Sequence, residues 1–148
     1  MPDPVAKKFI GPLIVASSLG WLCLGARPWP SQVSFQGTCF KVELAEPRAE
    51  QARGLSSRQS LPRDWAMLFV FSRAGEYPFW MKDTLIPLDI IWLDGDKRVV
   101  SVKENAQPCL GVNCPLFYPG KEAQYVLEIN AGSVKRLGLI EGEIMSFK

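Results

Sequence analysis

Histidine is absent from the chain. With it go imidazole general acid–base catalysis, Ser–His and Cys–His nucleophile pairs, and most zinc or iron sites. There is no concentration of Lys and Arg either: the net charge of +2 is scattered. Nucleic acid is therefore not an expected partner, since it requires a basic face. Cys-x-x-Cys spacing and internal repeats are also missing. What remains is a chain of 148 residues, 47% hydrophobic and 22% charged. That is enough for one globular domain with a real core. Neither a cofactor nor a metal is expected.

The first thirty residues read as something other than fold. Lys7 and Lys8 precede an uncharged run, FIGPLIVASSLGWLCLGA, from Phe9 to Ala26. A positive flank before an apolar stretch is the pattern of a secretory signal or an N-terminal anchor. As a helix the run would span about 27 Å, close to the hydrocarbon thickness, and the lysines would stay cytoplasmic. Residues 1–26 are therefore expected to be a signal peptide or membrane anchor, with the remainder exported to the periplasm or exterior. Cys23 suits a lipoprotein site poorly because bulky Leu22 precedes it. RPWPS, Arg27 to Ser31, reads as extended chain because proline biases its predecessor away from helix. The expected division is 1–26 leader, 27–34 linker and 35–148 a single domain.

Within the domain, hydrophobic period predicts short strands. FKVELA, Phe40 to Ala45, alternates strictly, with Phe40, Val42 and Leu44 on one side. Pro47 and Gly54 bracket a helix of two turns at most, Arg48 to Arg53. AMLFVF, Ala66 to Phe71, is continuously apolar, as in a strand covered on both faces. LDIIWL and RVVSVK flank Asp94-Gly95-Asp96, strong hairpin-turn chemistry. QYVLEI is another strand, SVKRLG a single helical turn ended by Gly138, and EIMSFK a closing strand. The fold class expected is mainly β, a jelly-roll-like sandwich or partly open barrel with one or two short helices.

Cys109 and Cys114 bracket LGVN in one long loop. In an oxidising compartment a local disulfide is the expected state, worth about 2 kcal/mol in the loop-entropy model. Two thiols without histidine are too few for a structural zinc. Cys39 is left without a partner and is expected to be a buried free thiol.

The run FWMKDTLIPLDIIW places one carboxylate, Asp89, among apolar residues. Alternation sets Leu88, Ile90 and Trp92 on one face and Asp89, Ile91 and Leu93 on the other. Both faces are apolar, so Asp89 is expected indoors, where an unpaired charge costs several kcal/mol. The expected partner is a guanidinium, that of Arg53 at the end of the short helix or Arg58 in the loop after it. Thr84 and Trp80 lie upstream on the same stretch. Such a cluster is either a structural link docking the helix on the sheet, or the polar floor of a ligand site walled by Trp80.

The segments ARGLSSRQSLP, MLFVF, FWMKDTLIPLDIIWLD, NAQPC, YVLEINAG and RLGLIEGE stand in the order found in the domain of unknown function 192 family, which the chain resembles from about Phe35 to Lys148. The resemblance implies a single β-rich, jelly-roll-like domain of bacteria and archaea, often behind an export signal, with no established activity. By position it covers Arg53, Gly54, Leu55, Arg58, Trp80, Met81, Thr84, Pro87 to Asp89, Pro108, Cys109 and Val126 to Glu128. Ser57 departs from the methionine common in the family, which bears on how firmly the Arg58 loop is buried.

Three functions of different kinds follow. The first is a non-catalytic, monomeric extracytoplasmic domain binding a small molecule or an envelope partner at Arg53, Arg58, Trp80, Thr84 and Asp89, touching membrane only through the N-terminal segment. The second is a carboxylate-based hydrolase of envelope carbohydrate, with Glu128 as partner of Asp89. It would need the two carboxylates roughly 5 to 10 Å apart, and Glu128 reads as pointing to solvent. The third is a structural assembly domain with Phe117 and Tyr118 on a contact surface.

Overall fold

The computed structural model describes residues 29–46 and 48–148. The leader expected over residues 1–26 lies outside them. Among the described residues nine strands and two short helices follow in chain order: β1 Gln32–Phe35, β2 Thr38–Ala45, α1 Arg48–Arg53, β3 Trp65–Gly75, β4 Phe79–Trp80, β5 Leu88–Leu93, β6 Val99–Ala106, β7 Leu116–Phe117, β8 Ala123–Asn130, α2 Ser133–Leu137 and β9 Ser146–Phe147. Among the described residues no helix is long and apolar enough to cross a membrane.

Seven strands form one sheet in the order β6-β5-β8-β3-β2-β1-β9, curled into a half-barrel, and β4 pairs with β7 in a small second sheet. Of the alternatives expected, the partly open barrel is the form adopted. β1 starts at Gln32, within the stretch expected as linker, because Val33 and Phe35 alternate inward and are buried. Its hairpin to β2 turns through Gln36 and Gly37, both at positive φ (45° and 83°), the backbone twist that two-residue hairpins require. β2 and β3 run parallel, with Glu43 opposite Met67, so the chain between them must travel back along the strands. It does so through α1 and the loop that follows.

Both faces of the central strands are covered. On one face Phe40, Leu68, Ile91, Leu127 and Ile129 pack with Val134, Leu139 and Met145 from the C-terminal part of the chain. On the other, Met67, Phe69, Ile90, Trp92 and Val126 pack under Leu55, Leu61 and Met81. Each large side chain so covered contributes roughly 1.5–3 kcal/mol. β5 divides as its alternation predicts, Leu88, Ile90 and Trp92 to the second face and Ile91 and Leu93 to the first. Asp94 caps the expected turn, its Oδ1 accepting the N–H groups of Asp96 and Arg98 at 2.9 Å each.

Cys109 and Cys114 are joined by a disulfide. Cys39 is a free thiol but exposed, contrary to expectation. It sits at the hairpin end of β2, on the side opposite buried Phe40, beyond the reach of the elements that cover that face farther along.

Candidate functional site

Asp89 is fully buried, as its surroundings in sequence require, but no arginine meets it. Its Oδ1 accepts the Asn105 N–H at 2.9 Å and its Oδ2 the Val134 N–H at 2.8 Å. A carboxylate can be held indoors by backbone donors alone, and here it ties β6 and the start of α2 to β5. The expected pairing with Arg53 or Arg58 is thus replaced by two main-chain contacts. Arg58 instead pairs with Glu43 across the roof loop, both side chains over a third exposed. Arg53 ends α1 and is exposed.

The loop after α1 is anchored by its backbone. Gly54 takes a left-handed conformation (φ 49°), which costs glycine little. Ser57, also left-handed at φ 62°, donates its N–H to the Asp83 carbonyl at 2.7 Å. Asp83 in turn donates to the Cys109 carbonyl at 2.8 Å, and Cys109 donates to the Met81 carbonyl at 3.1 Å. Ser57 itself is exposed, so the loop is held by these bonds and by buried Leu55 rather than by a side chain at Ser57. Thr84 is buried in the same turn, its N–H on the Met81 carbonyl at 3.1 Å. Of the expected cluster, then, Arg58 and Thr84 belong to one roof, which the backbone of disulfide-bonded Cys109 also joins. Asp89 lies on the other face of the sheet.

Beneath that roof is a second acid, which alternation had directed to solvent. Glu128 is buried on β8, opposite Met67 of β3 and Ile90 of β5. Continuing the row outward gives Glu43 beyond Met67 and Lys103 beyond Ile90. No described residue donates a hydrogen bond to Glu128 Oε2. Desolvation by burial raises its pKa from 4.5 to about 8, so the carboxyl holds its proton at neutral pH. A Cβ at Gly54 would stand 3.7 Å from Glu128 Oε2 and 3.3 Å from the tip of the Phe69 ring. No local signal marks Glu128: its face of β8 also carries Gln124 and Asn130, with Val126 alone apolar, and so reads as the wet side of the strand.

Next to Phe69 opens a cleft of about 370 Å³. Phe69, Phe71, Tyr77, Phe79 and Trp80 form its aromatic walls, with Leu116 from β7. Gln51 and Ala52 of α1, shortly before Gly54 in the chain, and Pro78 also line it. The walls are fixed to one another: Phe71 stacks on Tyr77 at 3.6 Å, and Phe79 meets Phe69 edge-on at 4.8 Å and Trp92 at 5.9 Å. Trp92 Nε1–H donates to the Tyr77 carbonyl at 2.8 Å, pinning the segment that carries them. Trp80 is 47% exposed, with Lys82 Nζ 5.5 Å from its ring centre. Few polar groups face the cleft uncommitted. Gln51 Nε2 donates to the Val70 carbonyl at 3.0 Å, and the Tyr77 hydroxyl to the Arg73 carbonyl at 2.8 Å.

Comparison with known proteins places residues 31–147 within the sequence pattern of DUF192, described as an uncharacterised ACR. A UPF0127 protein of Thermococcus kodakarensis is 31% identical over 112 residues, 72% of this chain and 64% of that protein. A UPF0127 protein of Thermococcus gammatolerans is 30% identical over 111 residues, 72% of this chain and 65% of that protein. The chain thus spans just under two thirds of the length of these relatives. Among solved structures, a protein of unknown function from Novosphingobium aromaticivorans superposes with a TM-score of 0.71 at 35% identity, covering 79% of this chain and 83% of that one. A Sinorhizobium meliloti structure provisionally called a transcription regulator superposes equally, TM-score 0.71 at 31% identity, covering 78% and 90%.

Proposed function

The chain belongs to the DUF192 family of uncharacterised proteins, and on that premise we propose that it is an extracytoplasmic binding domain taking a small molecule in the aromatic cleft beside Trp80. The observation that carries this reading is the cleft itself: a concave, pre-formed, mainly apolar space with an exposed tryptophan on its rim, the usual character of a small-molecule site. Export is supported by the charged-then-apolar leader in the sequence and by the Cys109–Cys114 disulfide, a bond that persists in oxidising compartments. Arg58 and Thr84 act in this reading through the roof, and Asp89 through the sheet, as supports of the cleft rather than as its lining.

Catalysis by paired carboxylates has no support in the geometry, because Asp89 and Glu128 face opposite sides of one sheet. A contact surface is the second reading. Leu110, Val112 and Tyr118, 69%, 92% and 63% exposed, favour it, and molar mass measured across a range of concentrations tests it.

Binding is tested by amide-resonance titration of the full chain against a panel of sugars, aromatic amines, alcohols and metabolite anions. A binder should shift the resonances of Tyr77, Trp80 and Leu116 together, and Trp80→Ala should weaken it at least tenfold. Should no compound move that group, or should Trp80→Ala change nothing, the cleft is not a binding site.

A further inference from the structure

The binding reading leaves the Glu128 carboxyl unexplained. It is not needed to hold the sheet together, since no described residue donates to its Oε2. Burying a polar atom without a partner is costly. An apolar residue of similar shape would fill the same place between Met67 and Ile90 without that cost.

The surroundings of the carboxyl suggest what it is for. Gly54, the Phe69 ring tip and Glu128 Oε2 converge on one point, the empty Cβ position of Gly54. Phe69 is also a wall of the cleft, and Gln51 and Ala52, which line it too, stand in the helix that runs into Gly54. The acid therefore stands close to Phe69, which it shares with the cleft as a neighbour without lining it, at the point where the roof carries no side chain. We propose that Glu128 is the inner anchor of the cleft and that the ligand is an organic cation: an amine on a flat or apolar body, its body against the aromatic walls and its ammonium directed past Phe69 toward the carboxyl. This inference rests on the cleft being a binding site and names the class of ligand.

The lining favours a cation over a neutral polyol. A polyol needs several hydrogen-bonding groups, and the polar groups of the lining are largely engaged with the backbone: Gln51 through Val70 and Tyr77 through Arg73. What the lining does offer is aromatic faces, whose negative potential attracts ammonium groups. Trp80 already holds one such group, that of Lys82, at 5.5 Å.

The charges around the acid fit the same role. Its neighbours across the strands are Met67 and Ile90, and Gly54 covers it from the roof. One strand farther out stand Glu43, already paired with Arg58, and Lys103, whose ammonium lies 5.0 Å from the centre of the Phe117 ring. Arg53, next to Gly54 in the chain, is exposed and takes part in none of the described ion pairs. Among the described residues no cation therefore meets the Glu128 carboxyl, and burial leaves it as the acid at neutral pH. An arriving ammonium favours the ionised form, so the carboxylic proton passes to solvent while the ligand keeps its own. One positive charge enters and one leaves.

The experiment uses the full chain with two probes of equal shape, 2-phenylethylamine and 2-phenylethanol. Calorimetry at pH 7 in buffers of different ionisation heat gives affinity and proton release together. The expected result is at least tenfold tighter binding of the amine, with release of close to one proton. In Glu128→Gln, whose amide keeps the shape without the titrating proton, both the preference and the release should vanish while the alcohol binds as before. Equal affinities for the two probes, or an amine affinity unchanged in Glu128→Gln, would overturn the role of Glu128 and leave the cleft standing as a site. If neither probe binds, the cation assignment falls, and the cleft is judged by the wider panel alone.

Discussion

Asp89 and Glu128 lie on neighbouring strands, one register step apart, and face opposite sides of the sheet. Each is a buried carboxyl in an apolar setting, yet their circumstances differ. Asp89 receives two backbone N–H groups, and Glu128 Oε2 receives no donor from any described residue. The first acid closes a structure, and the second is left to respond to whatever comes near it.

Removing the first should therefore cost stability. Asp89→Ala strands the N–H groups of Asn105 and Val134 and is expected to destabilise by about 3 kcal/mol. Asp89→Asn keeps an acceptor and should lose about half as much. Urea midpoints of the two variants check this. Equal, small losses would mean that the contacts to β6 and α2 contribute little.

Glu128 should make stability fall as pH rises. Its folded pKa of about 8 lies above the ordinary value of 4.5, so between these values the folded state binds the more protons. Its contribution is intact below pH 4.5, is lost progressively through the window, and is fully lost above pH 8. The total is on the order of 5 kcal/mol. Denaturant titrations from pH 4 to 9 should show this slope in the wild type and a markedly flatter one in Glu128→Gln. Parallel curves would place the carboxyl in water.

Arg58→Ala should be nearly silent toward stability. The pair with Glu43 is more than a third exposed on both sides, and such pairs contribute about 0.5 kcal/mol or less. Thermal melts in low and high salt provide the check. A loss of several kcal/mol would mean that Arg58 neutralises a buried acid.

Reducing the Cys109–Cys114 bond should lower stability by about 2 kcal/mol. Its more specific effect should be local. Cys109 exchanges backbone hydrogen bonds with the turn at Met81 and Asp83, which in turn holds Ser57. Amide exchange should therefore quicken at Asp83 and Ser57 together with Cys109 on reduction, while Val126 and Leu127 in the sheet stay protected.

Much of the fold could be read in the sequence because local period and turn chemistry govern it. β5 and α1 take the bounds their patterns predict, and Asp94-Gly95 turns as its side chain requires. Harder to read were strands whose identity depends on distant partners. β4 and β7 are two residues each and exist only because they pair, and β1 hid in a proline-bordered stretch. The site was half legible. The buried acid in β5 was found from its apolar neighbours, but its partners are main-chain groups, which sequence does not distinguish. Glu128 does not meet that criterion, since its own face of β8 also carries Gln124 and Asn130, and its covering by the roof loop is a tertiary event. The cleft gathers residues from α1, β3, β4 and β7, and no local pattern records that meeting.

The parallel join of β2 to β3 has a consequence for anyone who would trim this protein. A return stroke cannot be shortened to a tight turn when the strands run the same way. Here that stroke consists of α1 and the loop that runs on to β3, the same length of chain that covers Glu128 at Gly54 and lines the cleft at Gln51 and Ala52. Architecture and recognition thus share one length of chain. Deleting the lid to expose the acid would unmake the sheet, so access must be engineered by changing side chains while keeping the loop's span.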